Sequence, residues 1–327
     1  MSLRMPASVR PNLFRLLTVM LVMVSLGATT NIPADASNAP MQLRFDGIQR
    51  SYAIHVPAQP APPGGFPLVL AFHGDGMRGD TMRRMTQLDR IADQRGFIVV
   101  YPDGVDRHWN DGRSTIRNPH DDVAFVTALI ERLGQDHAID MGRVYATGIS
   151  SGALFAERLG CDLSQEIAAI APVAGTMPAE LAPDCRPAHP VASLHINGTE
   201  DPVMPFDGGA VADFGGRAEG GMVLSAARTV GFWAQANGCR AAGTPQLLPL
   251  ITPPDPTQTV RTAYVDCPAH GPVMQLTVMG GGHAWPSGPQ ASRPALIGQS
   301  SRQFDASVAI TDFFLSLPRR AGGARNA

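Results

Sequence analysis

Hydrophobic and polar positions change period along this chain in a way that outlines its elements. Leu43-Arg-Phe45 and Ser51-Tyr-Ala-Ile-His-Val56 alternate apolar and polar residues around Asp46-Gly47, the pattern of a half-buried antiparallel hairpin. The proline-rich stretch from Pro57 to Pro67 is too rigid for a helix, and it releases into Leu68-Val-Leu-Ala-Phe72, a fully apolar run that predicts a buried central strand. From there apolar strand-like runs alternate with helical periodicity. Helices are predicted over 81–94, 121–135 and 150–159, and strands over 97–101, 143–147 and 168–173. A strand over 191–197, a helix over 223–236, a last strand over 273–279 and a closing helix over 304–317 complete the series. Alternation of this kind predicts an α/β fold, a mostly parallel sheet covered by helices on both faces with an antiparallel N-terminal edge. The segments 110–119 and 206–221 are rich in Gly, Asp and Arg and lack periodicity, so they are expected to be loops over a pocket.

The N-terminus adds a targeting pattern. Arg4, Arg10 and Arg15 precede the apolar run Leu16 to Ala28, and Ala34-Asp35-Ala36 has the small-x-small form of a cleavage site. Thirteen apolar residues fall short of the ~20 that a helix needs to cross a bilayer. Residues 1–36 are therefore expected to be a secretory signal peptide, and 37–327 a single catalytic domain that is secreted or periplasmic, with no stable membrane anchor.

Export changes the reading of the four cysteines, Cys161, Cys185, Cys239 and Cys267. An even number in an exported chain suggests disulfides. Three pairings are possible. Cys161 with Cys185 and Cys239 with Cys267 is favoured because each closes a short local loop; free buried thiols are the plainer alternative. No C-x-x-C spacing occurs, so no metal site is expected. The 327 residues are 44% hydrophobic with a net charge of −2, which allows a large core and leaves no basic excess for nucleic acid.

The candidate chemistry centres on Gly148-Ile-Ser-Ser-Gly152, which lies between a predicted strand and a predicted helix. A serine on so sharp a turn needs glycine two residues to either side, so the pattern singles out Ser150 as nucleophile. A serine hydroxyl needs a base, and the base needs a carboxylate to orient it. Downstream of Ser150, His283 in Gly280-Gly-Gly-His-Ala-Trp-Pro286 follows the last strand on a flexible loop; His189, His195 and His270 are placed as structural residues. Asp201, in Asn197-Gly-Thr-Glu-Asp-Pro202 at another strand end, is the candidate acid, with Glu200 adjacent. The order Ser, Asp, His is that of α/β-hydrolases. The oxyanion donors are expected at the amide of Ser151 and in His73-Gly-Asp-Gly76, from Gly74 or Asp75. Trp109, Trp285 and Phe206 are candidates for the substrate pocket, with core packing the alternative for each.

The segments Gly47 to Pro57, His73-Gly74, Tyr101-Pro-Asp-Gly104, Trp109-Asn110, Asp121-Asp-Val123, Gly148 to Gly152, Gly198 to Asp201, Asn237-Gly-Cys239 and Gly282 to Pro286 carry a resemblance. Together they resemble secreted esterases of the polyhydroxybutyrate depolymerase family, related to feruloyl and acetylxylan esterases of carbohydrate esterase family one. The resemblance implies an α/β-hydrolase fold, no cofactor, and hydrolysis through an acyl-enzyme on Ser150 with Asp201 and His283. Its implied substrate is a small-molecule or polymer ester, such as a hydroxyalkanoate oligomer or a feruloyl or acetyl polysaccharide. Two departures from relatives stand out, Ala153 after the pentapeptide and Asp75 in the oxyanion loop. A serine peptidase of the prolyl-oligopeptidase type and a non-catalytic binding protein on the same scaffold are the alternatives.

Overall fold

The computed structural model describes residues 40–320 except 117, 213–219, 252–253 and 290–293; the expected signal segment 1–36 lies outside the described residues. The chain opens with strands β1 (Met41–Phe45) and β2 (Ile48–His55), paired antiparallel from Phe45 opposite Ile48. The two residues between them, Asp46 and Gly47, both take positive φ (48° and 76°), the conformation that a tight two-residue hairpin turn demands. Next come β3 (Phe66–Phe72), α1 (Gly79–Thr86), α2 (Leu88–Arg95), β4 (Ile98–Pro102), α3 (Asp122–Asp136), β5 (Ile139–Ile149), α4 (Ser151–Asp162), β6 (Ile167–Val173) and β7 (Ala192–Gly198). The short β8 (Gly209–Ala210) and β9 (Met222–Val223) form a separate ribbon. After them follow α5 (Ala226–Ala236), β10 (Ala241–Ala242), β11 (Gln246–Leu247), β12 (Gln258–Val265), β13 (Val273–Met279), α6 (Pro294–Ile297) and α7 (Ala306–Ser316).

The main sheet runs in the order β1-β2-β4-β3-β5-β6-β7-β13-β12-β10. Its centre, from β4 to β13, is parallel, and both edges are antiparallel. The C-terminal antiparallel edge, β12 with its short partners β10 and β11, goes beyond the expected N-terminal one. The helix expected over 81–94 is two helices, because Gln87 takes a left-handed conformation (φ 53°, ψ 28°) that ends one and starts the other.

Side-chain alternation on β3 shows how the sheet is buried. Leu68, Leu70 and Phe72 join the core under α3, α4 and α5 with Phe125, Phe155 and Trp233. Val69 and Ala71 face the opposite core with Met82, Ile91, Ile310 and Phe314 from α1, α2 and α7. A strand covered on both faces has no polar face to present, which is why this run is continuously apolar. Both expected disulfides are present. Cys161, on α4, pairs with Cys185, and Cys239, just after α5, pairs with Cys267.

Candidate active site

Ser150 stands between β5 and α4 in a backbone conformation (φ 58°, ψ −127°) that a side-chain-bearing residue rarely adopts. Its flanking glycines show what allows it. A Cβ on Gly148 would lie 2.3 Å from the carbonyl oxygen of Gly152, and one on Gly152 would lie 2.3 Å from the oxygen of Phe72. These neighbours are backbone, so no side-chain rotation relieves the clash.

The strand order brings the other candidates to the same end of the sheet. β3 is hydrogen-bonded beside β5, with Phe72 opposite Gly148, so the loop from His73 begins next to Ser150. The buried His73 imidazole holds that loop. Its Nδ1 lies 2.8 Å from the Gly74 carbonyl, and its Nε2 accepts from the Gly104 amide at 3.0 Å. These partners require the neutral ring with its proton on Nδ1. Burial enforces that state, pulling the imidazole from its ordinary 6.5 down to about 4.

β7 and β13 are parallel neighbours, with Gly198 opposite Val278. Their following loops are stitched together by Glu200 N donating to Gly281 O at 2.8 Å. In the loop after β7 Glu200 is exposed, while Asp201 is buried. Asp201 Oδ2 lies 2.9 Å from His283 Nδ1, and Oδ1 accepts from the amides of Val203 and Met204, each at 2.8 Å. The turn expected of an aspartate before proline and the contact to histidine thus use different oxygens. His283 is fixed in turn by its own amide, which donates to Ile297 O at 2.6 Å. Of the other downstream histidines, His195 is fully buried within β7, its Nδ1 3.3 Å from Glu157 Oε1.

Ser150 and His283 line one cavity of about 470 Å³, together with Gly74, Asp75, Met77, Met85 and Trp285. Its size is that of a pocket for a small organic ligand, and its walls are mainly apolar. Asp75 is the exception. Burial pushes its carboxyl up, against the lowering pull of His108, whose Nδ1 lies 2.5 Å from Asp75 Oδ1. Ser151, directly after Ser150, begins α4, and its amide belongs to the helix's first turn, whose N–H groups lack intrahelical acceptors.

Two pocket expectations are corrected. Trp109 is a core residue, its ring stacked on Phe155 at 5.0 Å and its Nε1 donating to His73 O at 3.0 Å, so it supports the loop from below. Phe206 is half-buried and does not line the cavity. Trp285 does line it, held by Nε1 donating to Ser307 Oγ at 3.0 Å. Val203, Ile297 and the two methionines form walls that no sequence motif marks, since they come from separate parts of the chain; Ile149, inside the pentapeptide, joins them.

Comparison with known proteins identifies the relatives of this chain. The family described as Esterase PHB depolymerase matches residues 50–204. A putative esterase, NocK, from Nocardia uniformis subsp. tsuyamanensis is 33% identical over 290 residues, spanning 86% of this chain and 84% of that protein. Feruloyl esterase B from Piromyces equi is 30% identical over 234 residues, 68% of this chain but only 41% of its own length. The solved acetyl xylan esterase from Aspergillus awamori superposes with a TM-score of 0.54 at 16% identity, over 75% of this chain and 94% of that one, a likeness of fold. The chain belongs to the Esterase PHB depolymerase family and is a carboxylic-ester hydrolase with an α/β-hydrolase fold.

Proposed function

We propose that Ser150 is the nucleophile of this esterase, His283 its general base and Asp201 the carboxylate that orients the base. The observation that carries this reading is the pairing of His283 Nδ1 with the buried Asp201, in a cavity that His283 shares with Ser150. With Nδ1 donating to Asp201, His283 Nε2 is the acceptor available for the serine proton. In the first half-reaction Ser150 Oγ bonds to the ester carbonyl carbon and its proton passes to Nε2. The imidazolium, stabilised by Asp201, returns that proton to the departing alkoxide, leaving an acyl-enzyme. Water then repeats the sequence and releases the carboxylic acid.

The oxyanion is placed against the amides of Ser151 and Asp75. The Gly74 carbonyl is held by His73 Nδ1 and also accepts from Met77 N at 3.1 Å. In a trans peptide the following N–H points the opposite way from that carbonyl, so the Asp75 donor is fixed in direction before substrate arrives. The mainly apolar cavity suits an acyl chain of a few carbons or an aromatic acyl group, in small-molecule or polymer esters.

Residues 1–36 act in this reading as an export signal, and 37–327 as one catalytic domain outside the cytoplasm. The two disulfides support it, because such bonds persist in oxidising compartments. N-terminal sequencing of the protein from periplasm or medium is expected to begin after Ala36; retention of Met1 in the mature protein contradicts export. The catalytic reading is tested by a fluorophosphonate probe, which should label Ser150 and be blocked by prior incubation with an ester substrate. Labelling elsewhere, or none, refutes it.

A further inference from the structure

Asp75, the acidic residue in the walls of the cavity, has its partner behind those walls. His108 does not line the cavity, and its Nδ1 lies 2.5 Å from Asp75 Oδ1. A strained turn presents it. Asp106 and Arg107 stand between Val105 and His108, which form an antiparallel bridge, and both take positive φ (51° and 70°). Two-residue turns of this kind favour glycine at the second position, so an arginine there is held at a cost. The surroundings hold it from two sides: Arg107 O accepts from Gly76 N at 3.1 Å, and Gly104 packs so closely that a Cβ on it would lie 2.3 Å from His108 O. The loop that carries Asp75 and the turn that carries His108 are thus tied together.

The neighbouring charges leave the compensation of Asp75 to His108. Arg113 also acts on Asp75, but its guanidinium pairs with the buried Asp111, Nε lying 3.1 Å from Oδ1 and Nη2 2.8 Å from Oδ2, and its Nη1 donates to Gly220 O at 2.6 Å. The two charges of that pair largely cancel at Asp75. His73, which faces His108, stays neutral in the folded protein down to about pH 4. Of the charges around His73, Asp103 accepts from Ser51 Oγ and Gly79 N, and Arg78 is exposed. Asp106 and Arg107 of the turn are exposed as well. Across the cavity, His283 faces its own carboxylate, Asp201.

We propose that His108 is a positioning residue for the oxyanion site, acting through Asp75: as imidazolium it holds the Asp75 carboxylate and offsets its charge, and on losing that charge with rising pH it slows the reaction. The proposal rests on Ser150 being the nucleophile and the Asp75 amide an oxyanion donor. The proton on Nδ1 faces Asp75 in both states of the ring, so the proton released to solvent is the one on Nε2. With it the pair is neutral overall, and without it the pair carries one negative charge. Asp75 bears that charge on the same residue whose amide faces the ester carbonyl, where the transition state gains negative charge of its own, and like charges there raise the barrier.

The test measures kcat on p-nitrophenyl butyrate over about pH 5 to 9, a range that spans the charge change of a histidine, in the wild type, Asp75→Asn, His108→Gln, Asp75→Asn/His108→Gln and His108→Lys. The ratio of Asp75→Asn to wild type is expected to rise about tenfold from the acid to the alkaline end, the scale of one charge partly screened by solvent, with KM little changed. At neutral pH His108→Gln should lower kcat about tenfold in the wild type and far less in Asp75→Asn, where no carboxylate is left to compensate. His108→Lys, charged throughout the range, should lack the alkaline fall. A ratio that does not change with pH, or a loss on His108→Gln of the same size with and without Asp75, overturns the proposal; a histidine that merely supports the turn gives the second result. Failure of the Ser150 reading is seen separately, as p-nitrophenyl butyrate turnover persisting in Ser150→Ala.

Discussion

Asp201 faces His283 with one carboxylate oxygen, at 2.9 Å from Nδ1, while its other oxygen accepts two backbone amides of its own turn. The turn fixes the carboxylate and the carboxylate fixes the ring, so the orientation of His283 is set before substrate binds. Asp201→Asn keeps the shape of the turn but can present an N–H to Nδ1, favouring the tautomer that leaves Nε2 protonated. A loss of about 10³- to 10⁴-fold in kcat is expected with little change in KM. Steady-state kinetics on p-nitrophenyl butyrate checks this, and a fall confined to KM contradicts it.

Gly152 is expected to be intolerant of even one methyl group. Its Cβ would meet the carbonyl oxygens of Phe72 and His73 at 2.3 and 2.5 Å, forcing α4 away from the strand end and from the loop that carries the proposed Asp75 donor. Gly152→Ala should cost about 3 kcal/mol of stability, at the upper end of overpacking, and reduce kcat at least 100-fold. Gly231, midway along α5 with nothing within 4 Å of its Cβ position, is the contrast. There Gly231→Ala should stabilise by up to ~1 kcal/mol. Urea unfolding of the two variants reads both effects.

The buried His73 makes stability depend on pH. Its folded value, about 4, lies below the ordinary 6.5. Above pH 6.5 both folded and unfolded states carry it neutral, and it costs nothing. As pH falls from 6.5 to 4 only the unfolded state gains the proton, and stability drops by about 3 kcal/mol before levelling. His73→Gln removes that proton, so its urea midpoint should fall less steeply than the wild type over the same window. Parallel slopes would show that His73 is not held neutral.

The two disulfides close loops whose ends are 24 and 28 residues apart in sequence. Each is expected to contribute about 3 kcal/mol, chiefly by restricting the unfolded chain. Cys161→Ala/Cys185→Ala should lower Tm by about 5 °C, on the entropy scale of a domain this size. The same treatment with reductant should affect the wild type but not a variant lacking both pairs, as scanning calorimetry would show.

How much of this was legible in the sequence depended on whether a feature is local. The pentapeptide around Ser150 was readable because a turn that sharp excludes a Cβ at Gly148 and Gly152, leaving a mark in the residues themselves. Val273–Met279 and the buried β3 were readable from apolar runs alone. The break at Gln87 was not, since nothing in a glutamine announces a left-handed conformation, and the amphipathic period continues across it. Strand β12 leaves no such signal, because it lies on the antiparallel edge, partly exposed and without a continuous apolar run. Sequence proximity to the site loops suggests Trp109 and Phe206 for the pocket, but the fold turns Trp109 onto Phe155. Pocket walls such as Met85 and Ile297 come together only through strand order.

Replacing one hydroxyl tests the central claim most directly. Ser150→Ala removes only Oγ from a residue whose backbone is already fixed between β5 and α4. The variant should keep the wild-type Tm within a few degrees and its near-ultraviolet circular dichroism, while kcat/KM on p-nitrophenyl butyrate falls by about 10⁴-fold or more. A folded Ser150→Ala protein that still hydrolyses the ester at a substantial fraction of the wild-type rate would contradict Ser150 as the nucleophile.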